Sequence, residues 1–464
     1  MYFTSVASTL LAAMAFLSLV PRTTSESICT LSDSEACAVH TLTPSDDDGS
    51  VLIYPGGNTR CAFDDYTDSE TTFSTNSTYF FQVFPNSGSN KSKLMIFFQG
   101  GGACTDEETC SFGLQCSLGA SATLTTVATS SSAGILNRSI SDNMFKDWNI
   151  VFVPYCTGDV HAGNRILEPY ESNVAELLGE PQCLGLNYTM YLNGYNNTQS
   201  ALDWALDNYP DVDNLVVGGE SAGSLGAQLH SAHIAELWGV NSKGTRFSVI
   251  ADSYVGAVPA NHTGSQSLHF TGVCDVNLGM PATVVADCDA EMATTIEMTE
   301  SLIEDVPQGN WLFINSKGDL TQRYFYALLE EGIEGYPFTD LVSEQDFYAD
   351  MSVILDAYQS ISTRITTFYV EGTKHVFLAD TNFTSYQSDE GLLLGDVLNA
   401  WLVSDSSLNS NTTAVTSSSG SSATTTDATT ASSTNSGTPG SSTTSATSTA
   451  STTSSSTTST TSFC

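Results

Sequence analysis

Basic residues are scarce in this chain: 13 Lys and Arg stand against 51 Asp and Glu, leaving a formal charge of −38 at pH 7. So acidic a surface repels polyanions, which argues against nucleic acid and anionic membranes as partners and for a solvated face rather than a dedicated cation site. No Cys-x-x-Cys pair occurs and the seven His are scattered, so the cysteines do not read as structural zinc ligands. Gly-x-Gly-x-x-Gly is absent too, and no phosphate-binding lysine follows the single triple glycine, which makes a dinucleotide loop the poorer fit.

What is present begins with an apolar stretch, Val6 to Val20, that lacks a basic flank. At about 15 residues it is shorter than the roughly 20 a spanning helix needs, so residues 1–25 are expected to be a cleaved secretory leader, not an anchor. Asn-x-Ser/Thr acceptors at Asn76, Asn90, Asn137, Asn187, Asn196, Asn261, Asn382 and Asn411 suit export. So do ten cysteines before the tail: 29, 37, 61, 104, 110, 116, 156, 183, 274 and 288, an even set whose pairing the sequence leaves open. From Ser404 onward Ser, Thr, Ala and Gly supply almost everything. Such a segment cannot bury enough apolar surface to offset its conformational entropy, so 404–464 is expected to be a disordered, O-glycosylated stalk. It carries no apolar tail of the GPI kind. Cys464 is left over, either free or bonded to another chain.

Between leader and stalk, residues 26–403 are long for one domain but suit a decorated α/β sheet. Leu94 to Phe98, Ile150 to Pro154, Leu215 to Val217, Phe247 to Ala251, Trp311 to Asn315 and Thr366 to Val370 read as strands. Several are unbroken apolar runs, as in a parallel sheet buried on both faces. Helical patterns lie between them: Thr198 to Tyr209, with Leu202, Ala205, Leu206 and Tyr209 on one face, and Ala222 to Trp238. Strand, helix, strand in repetition predicts parallel βαβ units.

The sharpest local signal is Leu215-Val216-Val217-Gly218-Gly219-Glu220-Ser221-Ala222-Gly223, a strand entering Gly-x-Ser-x-Gly and then a helix. That is the pattern of a nucleophile elbow, a turn so tight that only small residues fit two positions either side of the serine. Upstream, Gln99-Gly100-Gly101-Gly102-Ala103-Cys104 follows a strand. Glycine there lets amides approach a ligand, so Gly101 and Gly102, with Ala222, are the expected oxyanion donors. A serine needs a base and an orienting acid, expected downstream in the order acid, then histidine. His375 follows the last strand candidate. Asp319, in the turn after Trp311 to Asn315, is the expected acid. Asp252 after the strand Phe247 to Ala251 is the rival, and Asp380, which comes after the histidine, the weaker one.

Taken together these segments resemble the pectin acetylesterase and Notum family of α/β-hydrolases. Gln99-Gly100-Gly101-Gly102-Ala103-Cys104 is similar to its Glu-Gly-Gly-Gly-Trp-Cys loop, and Val153 to Gly163 to its tyrosine-cysteine-glycine-aspartate segment. Ser221 matches its Ser-Ala-Gly nucleophile, Asn315 to Gln322 the stretch carrying its acid and a nearby Gln, and His375 its late histidine. The likeness spans roughly residues 50–402. Gln99, Ala103 and Glu220 depart from the pattern, standing where members carry an acid, a tryptophan and usually cysteine, which touches the acyl pocket and the substrate cleft.

The resemblance implies an α/β-hydrolase with a mostly parallel central sheet flanked by helices, and a secreted, cell-wall-associated serine carboxylester hydrolase removing acetyl or other small acyl groups from an extracellular glycan. Asp159, His161 and Gln322 become candidates for lining the site, with a structural turn as the plainer reading of Asp159 and His161. The expected partner is an acylated carbohydrate or other ester, the expected state a monomer, and the chemistry needs neither cofactor nor metal. The alternatives are a Notum-like lipid-acyl esterase, a broad-specificity carboxylesterase or acyltransferase on the same scaffold, and a catalytically idle wall or matrix component.

Overall fold

In a computed structural model the described residues are 27–404, apart from 33–35, 68–73, 87, 89, 113–132, 170–188 and 337. The leader and the stalk beyond Ser404 lie outside them, as do Cys116, Cys183 and Cys464.

Nine strands form the main sheet: β1 (Ile28–Thr30), β2 (Val51–Tyr54), β3 (Phe81–Phe84), β4 (Lys93–Phe98), β5 (Asn149–Val153), β6 (Asn214–Glu220), β7 (Arg246–Asp252), β8 (Asn310–Ser316) and β9 (Ile365–Val370). Their spatial order is β1-β2-β3-β5-β4-β6-β7-β8-β9. From β5 to β9 every neighbour is parallel. The six strands expected from sequence are these six; five are extended by a residue or more, while Ile150 to Pro154 becomes Asn149–Val153, with Pro154, which has no amide to donate, left beyond the strand. The first three were not anticipated, and β3 runs antiparallel to both its neighbours, making the sheet mixed. They are short, and β3 reads Phe-Gln-Val-Phe, fully buried with no alternation to reveal it. Its buried Gln82 donates through Nε2 to Ser50 Oγ at 2.7 Å, while its Oε1 has no partner among the described residues.

Successive side chains of a strand point to opposite faces, and here both faces are covered. Leu94, Ile96, Phe98, Leu215 and Val217 pack on one side against α1 (Gly194–Asn208), α2 (Ala222–Leu237), α3 (Thr295–Asp305) and, through Phe347 and Met351, helix Glu344–Ile361. Met95, Phe97, Val216, Ile250 and Ile314 pack on the other against Leu398 and Trp401 of the last helix, Leu394–Trp401. Fully burying one such side chain is worth about 1.5–3 kcal/mol, so double coverage explains why these strands are apolar without interruption.

Disulfides Cys29–Cys37, Cys61–Cys156, Cys104–Cys110 and Cys274–Cys288 staple the connecting segments. The carbonyl of Ser404 accepts from Arg246 Nη1 at 2.8 Å and Asn310 Nδ2 at 3.0 Å, so the domain's contacts reach one residue past Val403. Among the described residues no helix is long and apolar enough to cross a membrane.

Candidate active site

Strand β6 lies in the middle of the sheet, and its end delivers Ser221 in a backbone conformation of φ 53°, ψ −122° immediately before α2. Positive φ on a serine costs of the order of 1–3 kcal/mol and persists only where the surroundings enforce it. They do so here. A Cβ on Gly219 would sit 2.1 Å from the carbonyl oxygen of Gly223, and one on Gly223 would sit 2.2 Å from that of Phe98. The Ser221 amide donates to the Asp252 carbonyl at 2.8 Å.

His375, on the loop after edge strand β9, reaches the serine: Nε2 lies 2.8 Å from Ser221 Oγ. Its Nδ1 lies 2.8 Å from Asp319 Oδ2 and 3.0 Å from Oδ1. Asp319 is fully buried at the N-cap of α4 (Leu320–Glu331). It accepts from the Gln322 amide at 3.0 Å and from Gln322 Nε2 at 3.0 Å. The helix N-terminus favours a negative charge there. A carboxylate that only accepts makes Nδ1 the protonated nitrogen, leaving the Nε2 lone pair facing the serine hydroxyl.

Asp252 also reaches this corner but does not bond the imidazole. Its Oδ2 accepts from the amides of Phe377 at 2.9 Å and Leu378 at 2.7 Å. Its Oδ1 accepts from Ser253 Oγ at 2.8 Å, and that hydroxyl accepts from the Val376 amide at 2.9 Å. Asp252 thus clasps the backbone just past His375. Burial pushes its carboxyl up to about 6, against those hydrogen bonds. Asp380 faces Lys374 Nζ at 2.8 Å and the Tyr386 hydroxyl instead.

Beside Ser221 lies a cavity of about 110 Å³, whose walls include Gly102, Ala103, Val160, Ala222, Leu225 and Leu268. Asp159, Gln322 and His375 also border it; Gly101 and His161 do not. Gly101 rests instead on Tyr155, whose ring carbon would lie 2.7 Å from a Cβ there. His161 sits behind the glycine loop. Ala103, noted in the sequence only as a departure from the family's loop, borders the cavity, and the apolar residues Val160, Leu225 and Leu268 join it without any motif to mark them. The amides of Gly101, Gly102, Ala103 and Ala222 have no acceptor among the described residues, and of these four residues all but Gly101 border the cavity. Burial, with Asp252 and Asp380 adding like charge, pushes the Glu220 carboxyl up to about 8. Asp159, desolvated, is pushed up to about 6.

Among the described residues one grouping has metal-ligand spacing: His269, Cys274 and Asp289. Cys274 is bonded to Cys288 and so offers no thiolate.

The sequence profile described as Pectinacetylesterase matches residues 74–291. That span holds the glycine loop and the serine elbow and ends before Asp319 and His375. No curated protein matches the chain.

Proposed function

Since the chain belongs to the pectinacetylesterase family, and is therefore a carboxylic ester hydrolase, we propose that it works through Ser221, His375 and Asp319 on small acyl esters of an extracellular glycan. The observation that carries this reading is the unbroken chain Ser221 Oγ, His375, Asp319, with both links at 2.8 Å. His375 Nε2 takes the hydroxyl proton as Oγ attacks the acyl carbon, and Asp319 holds the imidazolium that forms. The amides of Gly102, Ala103 and Ala222 receive the charge on the tetrahedral oxygen. The alcohol leaves with the proton from His375, and water, activated by the same nitrogen, releases the acid.

Export is part of the proposal. The disulfides suit an oxidising compartment, and the described acceptors Asn76, Asn90, Asn137, Asn196, Asn261 and Asn382 are none of them buried. A charge of −38 disfavours a bare polygalacturonate target at neutral pH, since both would be anionic.

Cavity size sets the acyl range. A 110 Å³ space walled by Leu225, Leu268 and Val160 exceeds what a methyl group fills, and an apolar cavity of about 150 Å³ accommodates benzene. Butyryl esters are therefore expected to be cleaved with kcat/KM at least equal to acetyl, and dodecanoyl esters with a lower one, in a p-nitrophenyl series. A value still rising at dodecanoyl would point to a lipid-acyl enzyme.

Glu220 governs the alkaline limb. Uncharged below about pH 8, it becomes a carboxylate beside Ser221 as pH passes that value, and its charge opposes the developing oxyanion. kcat/KM is expected to fall above about pH 8 in the native protein and to hold in Glu220→Gln. Coincident pH–rate profiles for the two would remove Glu220 from this role.

A further inference from the structure

The peptide just upstream of the glycine loop is tied down from behind. The carbonyl of Gln99 accepts from His161 Nε2 at 2.7 Å, while Gln99 Oε1 accepts from the Tyr155 amide at 3.0 Å. His161 and its neighbour Val160 both have positive φ, 64° and 52°. That conformation is a true outlier for a β-branched valine and must be imposed.

The surroundings impose it. The Val160 amide donates to the Tyr155 hydroxyl at 2.8 Å. The Asp159 carboxylate accepts from the His161 amide, from the Gly194 amide at 2.6 Å and from Thr157 Oγ1 at 2.6 Å. The His161 carbonyl accepts from His230 Nε2 at 2.9 Å and Thr198 Oγ1 at 3.0 Å. The Tyr155 ring stacks on the imidazole at 4.5 Å, and the same ring supports Gly101. The bond from Nε2 to the Gln99 carbonyl links this strained turn to the strand end that leads into the glycine loop.

We propose that His161 is a positioning residue for the esterase reaction, holding the Gln99–Gly100 peptide so that the amides of Gly102 and Ala103 face Ser221. It rests on the serine chemistry proposed above, and touches no substrate itself. Burial lowers the His161 pKa to about 4, so the ring stays neutral above that pH. With Nε2 donating, its proton is placed where the loop needs it.

The test compares His161→Phe, which keeps a stacking ring without a donor, with His161→Gln, whose amide restores a donor at similar reach. Active serine is titrated with a fluorophosphonate, and kcat, KM and the affinity of a boronic acid that forms a tetrahedral serine adduct are measured per titrated site. Removal of one oxyanion donor costs about 10²–10³ in kcat; displacing the loop is expected to cost about 10–100-fold in His161→Phe, with KM within threefold and boronate affinity falling in parallel. His161→Gln is expected to recover most of both. Equal kcat per titrated site in His161→Phe and the native protein overturns the proposal, as does failure of Gln to rescue. Should His161→Phe not fold, Tyr155→Phe frees the Val160 amide and is expected to cost several-fold in kcat per site at constant KM; no change overturns the proposal. Native protein left unlabelled at Ser221 would sink the serine mechanism and this inference with it, an outcome distinct from a labelled variant with native kcat.

Discussion

Ser221→Ala is expected to lower kcat for ester hydrolysis by about 10⁶, the loss seen when a nucleophile that acts as one unit with its base is removed. The alanine keeps the elbow's geometry, since it is Gly219 and Gly223 that make the turn possible, and the thermal midpoint should stay within a few degrees of native. Inactivity at preserved stability is what distinguishes a lost nucleophile from a damaged fold. A variant that retains a tenth of native kcat would end the assignment of Ser221.

Asp319→Asn is expected to cost about 10⁴ in kcat. Its amide group can turn a donor toward His375 Nδ1, which favours the tautomer with a proton on Nε2, and that proton then blocks the serine. Asp252→Asn is the matched control. An amide oxygen still accepts from Phe377 and Leu378, so activity should fall far less, whereas weakening a buried charge-assisted clasp should cost about 1–3 kcal/mol of stability. Denaturant unfolding and steady-state kinetics on both variants separate the two effects. If Asp252→Asn were the more damaging to kcat at unchanged stability, the role of acid would pass to Asp252.

The elbow was legible because its requirements are local: a strand, two glycines and a helix within one stretch of chain. Asp319 and His375 could be nominated from chain order alone, since each follows a long apolar strand. The clasp of Asp252 could not. It joins residues 125 and 126 positions apart through backbone amides, which leave no mark on residue type. Asp252 was therefore visible only as a rival carboxylate, when its contacts are with the loop rather than the ring. His161 was visible as a turn residue that could also line the cleft; its bond to the Gln99 carbonyl was not, since a backbone acceptor leaves no mark on residue type. The first three strands escaped notice because three or four residues are too few to establish a period, and β3 hides both faces.

The clasp and the edge position of β9 have a bearing on biosynthesis. Polypeptides emerge from the ribosome N-terminus first and fold as they emerge. The strands from β1 to β8, with Ser221 already mounted at the centre, are complete before the segment from β9 to Leu378 exists. Until that last segment docks on β8 and Asp252 closes on it, the proposed nucleophile has no proton acceptor. A nascent or truncated chain would then be an inert precursor, and esters of the cell that makes it would be spared until the final tenth or so of the domain arrives.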